Sequence, residues 1–146
     1  MGPRILYCWL MSQLTSLVEL FYQQLWNQKN FEIAGRILAD QVEFKGSLGS
    51  TLVGRDKVCE YIESVTTVLD NYTCEIQQLV VEDNKAAAKV LFNGIHVGYF
   101  MGYKPTGKEV EWIGAAFFES KDGKLTNIWV LGDLEGLRSK LDQNKL

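Results

Sequence analysis

The chain has 146 residues, 47% apolar, 23% charged and 12% aromatic, with a net charge of −3. That mix describes one folded domain with a real core and excludes disordered, collagen-like and low-complexity classes. No basic excess marks a nucleic-acid binder, so no nucleic-acid partner is expected. A single histidine, His96, excludes multi-histidine metal sites. No CxxC pair offers a zinc ribbon or a redox dithiol, and neither metal nor cofactor is expected. The three cysteines, Cys8, Cys59 and Cys74, are odd in number and widely spaced, which fits a reducing, cytoplasmic compartment.

Residues 1–10, MGPRILYCWL, are apolar around one cation, Arg4. The apolar run from Ile5 to Met11 is short for a signal peptide and far too short to span a bilayer. The segment reads as an N-terminal extension outside the folding unit, with a single domain over 11–146 and no membrane partner. Leu14, Leu17, Val18, Phe21 and Leu25 recur at helical spacing, which predicts a helix over 12–28 capped by Ser12. Phe31, Ala34, Ile37 and Leu38 predict a second, short helix. Val42 and Phe44 predict a short strand, and Val58, Tyr61, Ile62, Val65 and Leu69 a third helix over 55–70.

From Tyr72 the period becomes that of strands. Thr73 to Val81 ends at a turn, Asp83-Asn84. Ala86 to Gly102 predicts a long strand whose glycines mark bulges or bends. If that strand were unbroken, Gly94, His96, Gly98 and Gly102 would share one face. Lys104-Pro105-Thr106-Gly107 is a turn, and Val110 to Glu119 and Leu125 to Leu131 are strands joined at Asp122-Gly123, a hairpin signal. Leu134, Leu137 and Leu141 predict a closing helix with Asp133 as its cap. Helices first, then an antiparallel meander, then a short helix make an α+β fold with helices packed on one face of a sheet.

Two segments carry a family likeness. Residues 94–107 read GIHVGYFMGYKPTG and residues 122–133 read DGKLTNIWVLGD. They resemble the SnoaL-like polyketide cyclases, or ester cyclases, of the nuclear transport factor 2-like superfamily. The resemblance implies a cone-shaped α+β barrel in which helices close one side of a curled, mainly antiparallel sheet. It also implies a cofactor-free cyclisation or isomerisation, in which a carboxylate in a dry pocket removes a proton beside a carbonyl. In the family the catalytic aspartate follows the tryptophan of the last strand; here Val130 follows Trp129. A partner histidine would fall near Ala116, and a polar residue near Phe44. All three positions are apolar in this chain.

His96 matches the family's strand histidine, and Asp133 its final aspartate. They are the candidate catalytic residues, against plainer readings as a structural histidine and a helix cap. Phe44, Trp112, Ala116, Phe118, Ile128 and Val130 are candidate ligand-binding residues, although such residues also make ordinary core. A small apolar or aromatic molecule in a cone cavity is the expected ligand. The alternatives are a non-enzymatic binding or dimerisation module, and an enzyme of epoxide-hydrolase type. The superfamily resemblance implies a homodimer through the convex face of the sheet, where Trp129 and Leu131 are placed.

Overall fold

The computed structural model describes residues 3–145; Met1, Gly2 and Leu146 lie outside them. The order is α1 (Pro3–Leu20), a π-helical turn (Phe21–Trp26), a 3-10 turn (Phe31–Ile33), α2 (Ala34–Ile37), β1 (Leu38–Lys45) and β2 (Thr51–Val53). Then follow α3 (Arg55–Val68), β3 (Leu69–Glu82), β4 (Lys85–His96), β5 (Glu109–Lys121), β6 (Lys124–Gly132) and α4 (Leu134–Asn144). The six strands form one sheet in the order β2-β1-β6-β5-β4-β3. Every pairing is antiparallel except β1 with β6. The class is α+β, as the pattern implies.

The sheet curls because its ladders slip. Register shifts fall between Asp70 and Thr73 and between Ile76 and Gln78 on β3, and between Glu119 and Ser120 on β5. Each extra residue bends its strand and increases local twist. Gly94 stands opposite the first slip, where a Cβ would lie 3.0 Å from the Cβ of Leu69. That glycine marks a bulge, as expected. The strand does not continue to Gly102, however. It stops at His96, and Gly98 packs against Val68 outside the ladder. The four residues therefore do not share a face; only Gly94 and His96 lie on the buried side of β4.

The concave side of the sheet holds Leu69, Tyr72 and Cys74 of β3, Val90 and Phe92 of β4, Val110, Trp112, Ala116 and Phe118 of β5, and Ile128 and Val130 of β6. Leu14, Leu17, Val18, Phe21, Tyr22 and Leu25 pack onto it from the first helix, and Val58, Ile62 and Val65 from α3. Leu137 and Leu141 of α4 close the end beside β5.

The first helix begins at Pro3, not at residue 12, and Ser12 sits inside it rather than capping it. Residues 4–11 favour helix enough to prolong it outward, leaving Ile5, Leu6, Trp9 and Leu10 exposed. From Arg4 to Trp26 the helix is long and apolar enough, by length and composition, to cross a bilayer. From Leu14 inward its apolar face is instead built into the core.

The edge strand β3 is protected by a side chain. Asn27 accepts the N–H of Cys74 at 2.7 Å and donates to its carbonyl at 3.0 Å. The amide stands in for a neighbouring strand and leaves no open ladder there. Asn27→Ala is expected to destabilise the protein by about 1–3 kcal/mol. Urea unfolding checks this; an unchanged midpoint would mean that water replaces the amide at no cost.

Candidate functional site

Between sheet and helices lies an aromatic cup. Phe21, Tyr22 and Trp26 enter from the π-helical turn, Phe44 from β1, Ser47 from the loop after it and Tyr61 from α3. Tyr72, Phe92 and Val130 enter from β3, β4 and β6. The rings pack on one another. Trp26 meets Tyr61 edge-on with centroids 5.9 Å apart, Phe44 lies 5.3 Å from Tyr61, and Tyr72 stacks on Phe92 at 6.4 Å. Phe92 owes its place to Gly114 on the next strand, where a Cβ would stand 2.5 Å from the ring. What remains open is a cavity of about 10 Å³, space for roughly one water.

Among the described residues, no carboxylate, imidazole or cation lines this cup. Its ionisable groups are phenols, with a thiol close by. Burial pushes the phenols of Tyr22 and Tyr72 well up, and the thiol of Cys74 up as well. Burial also raises Tyr61 to about 12, against the opposing effect of a hydrogen bond from the Leu48 backbone. All four stay neutral near pH 7 and can offer hydrogen bonds but not a base.

The sequence-derived ligand residues divide. Phe44 and Val130 line the cup. Trp112, Ala116, Phe118 and Ile128 are buried on the same concave wall but fill the core around it, Phe118 lying edge-on to Tyr22 with centroids 5.9 Å apart. His96 and Asp133 are not brought together, and neither lines the cup. His96 is fully buried at the end of β4, where its Nδ1 lies 3.4 Å from the hydroxyl of Thr106. Its backbone N–H donates to the Lys108 carbonyl at 2.9 Å, and its carbonyl accepts from Gly107 at 2.8 Å. Its Nε2 has no hydrogen-bond partner. The residue thus ties the 97–108 loop to the sheet. Asp133 is exposed and caps α4, accepting the Gly136 N–H at 2.9 Å. Tyr22, Trp26 and Tyr61 were invisible as site residues because they fall at helical spacing and read as core.

The sequence model of SnoaL-like polyketide cyclases matches residues 16–141. The chain belongs to the SnoaL-like polyketide cyclase family. Solved structures agree on its nuclear transport factor 2-like fold. A SnoaL-like polyketide cyclase from Agrobacterium tumefaciens superposes with a TM-score of 0.75 at 20% identity, over 88% of this chain and 97% of that one. TsrD from Streptomyces laurentii gives 0.79 at 22% identity, over 89% and 95%. An LEH-like epoxide hydrolase from M. tuberculosis gives 0.73 at 14% identity, over 92% of each chain. No curated protein sequence matches this chain significantly. At these identities the likeness concerns the fold, and one such fold hosts many chemistries.

The neutral cup has a pH signature. Tyr61 is harder to ionise folded than at its ordinary value of 10. Above about pH 10 the unfolded chain therefore holds fewer protons than the native one, and stability falls as pH rises toward about 12. At about pH 11 the native protein is expected to lack the phenolate absorbance of Tyr22, Tyr61 and Tyr72 that the urea-unfolded chain shows. Equal phenolate absorbance in a protein still folded at that pH would mean that the cup is wet.

Proposed function

We propose that this family member is a non-enzymatic binding module. It takes a small, flat, largely apolar molecule into its aromatic cup and works as a cytoplasmic homodimer. The chemistry of the lining carries this reading: packed rings and neutral donors and, among the described residues, no carboxylate, imidazole or amine. A cyclase or isomerase of the polyketide or ester type would need a base at Val130 or Ala116. An epoxide hydrolase would need carboxylates around a water. The cup offers neither set.

At about 10 Å³ the cup is closed around roughly one water, so a ligand enters by displacing rings. Tyr61 and the loop over 46–50 bound the cup on the α3 side. The loop is held by two backbone hydrogen bonds of its own, Gly46 to Ser50 at 2.9 Å and Gly49 to Gly46 at 3.0 Å. Naphthalene is a suitable first probe. Saturable quenching of tryptophan fluorescence, weakened at least tenfold by a blocking Val130→Trp, is the expected outcome. No saturable quenching up to the solubility limit would defeat the binding reading.

The homodimer rests on the open face of the sheet. Val80, Ala87, Phe117, Trp129 and Lys45 stand side by side in one row across five strands. Phe117 is 50% exposed and Leu131, in the next row, 56%. Phe117 and Trp129 lie 5.7 Å apart, and the Lys45 ammonium sits 4.9 Å over the Trp129 ring. Apart from Lys45 the row is apolar, and a twofold axis would set it against its own copy. Light scattering at micromolar concentration should give a dimer for the native protein and a monomer for Phe117→Glu. A native monomer would refute the association.

A further inference from the structure

The solvent side of α1 changes character where the helix leaves the domain. Along the domain that side carries Ser12, Ser16 and Glu19, all exposed. Ile5 and Trp9 continue the same stripe at helical spacing and stand 60% and 57% exposed. Leu6 and Leu10, one position on from each, are 52% and 43% exposed and widen the apolar face. The hairpin tips around Asp83 and Asp122 meet the helix at Leu10 and Gln13, and core packing begins at Leu14. The core therefore does not account for four large apolar side chains on the projecting turns.

Their arrangement says what covers them. At about 100° per residue, Ile5, Trp9, Leu6 and Leu10 span an arc of about 140°. That is broader than the narrow seam along which two helices pair. The residue types suit a lipid–water boundary, with aliphatic chains beside an indole that sits at headgroup depth. The charge suits it as well. Arg4 is exposed and stands off that face, where its long side chain can reach lipid phosphates. The first acidic residue of the chain is Glu19, so no carboxylate of the segment opposes the contact. Residues 3–10 make about 12 Å of helix, against a hydrocarbon core of about 30 Å. From Leu14 onward the helix is built into the core. An apolar run too short to span a bilayer is long enough to lie on one.

We infer that residues 4–10 are a reversible membrane-surface anchor. Ile5, Leu6, Trp9 and Leu10 sink into the headgroup–acyl boundary of an anionic phospholipid bilayer, and Arg4 meets its phosphates. The hairpin tips beside Leu10 carry Asp83 and Asp122 as well as Lys121. Apolar burial rather than charge attraction therefore supplies most of the binding, and salt weakens it only slightly. The anchor requires nothing of the cup, so the two stand or fall separately.

The test uses the full chain and vesicles of phosphatidylcholine with phosphatidylserine. Co-sedimentation measures binding, and bromine-labelled lipids quench tryptophan emission according to depth. The native protein is expected to sediment with the vesicles. Bromine near the headgroups should quench it more than bromine at the bilayer centre. Trp9→Phe should keep the binding and lose most of the quenching, which assigns the quenching to this tryptophan. Trp9→Glu should weaken binding about tenfold or more, with an unchanged urea midpoint because Trp9 lies outside the core. No sedimentation of the native protein, or binding that Trp9→Glu leaves unchanged, would overturn the anchor. An oligomer in vesicle-free solution that Trp9→Glu dissociates, with no binding to vesicles, would also overturn it and make a second copy the cover.

Discussion

A sheet curled around a helix encloses a volume, and that volume must be filled or lined. This constraint governs the whole molecule. In this chain it is met by rings. Phe21, Tyr22, Trp26, Phe44, Tyr61, Tyr72 and Phe92 converge until the cavity is about 10 Å³. A core of this kind is stabilised by area and by ring geometry, since each aromatic pair adds about 0.5–1.5 kcal/mol beyond burial. The same packing fixes the chemistry, because an ionised group among these rings would lose its hydration with nothing to replace it.

The positions where the family would place its acid and base show that choice most directly. Val130 is part of the cup wall, the Phe44 ring packs tilted against Tyr61, and Ala116 is fully buried between its neighbours on β5. The two residues that keep the family's polar identity serve the frame instead. His96 holds the 97–108 loop against the sheet, and Asp133 starts α4. The π-helical turn faces Val130 of the last strand across the cup, with Tyr22 and Trp26 on its wall.

Much of the fold was legible in the sequence because period carries it. The strands β3, β5 and β6, the hairpin at Asp122-Gly123 and the Asp133 cap follow from alternation and turn chemistry, and Asp122 and Gly123 do adopt the positive φ of 53° and 78° that such a turn needs. Other features depend on distant partners and leave no local mark. The strand Thr51–Val53 is three residues long, too short to alternate. The parallel pairing of β1 with β6 joins segments some eighty residues apart. β4 ends at His96 because the following backbone turns to bond Val68, which no local pattern announces. Candidate ligand residues on the strands were visible through alternation. The helical ones were not, because Tyr22 and Trp26 follow the same spacing as Leu14 and Leu25.

The central claim is that the cup can hold a small flat molecule without moving its protons. It is tested most directly by α-hydrogen exchange in D2O. Acetophenone would be incubated near neutral pH with and without a saturating concentration of the protein, and deuterium uptake at its methyl group followed by NMR. A cup lined only by neutral donors predicts no more than a few-fold change from the solvent rate. A positioned base typically contributes about 100-fold or more, and acceleration of that size, lost when Val130→Trp blocks the cup, would contradict the account.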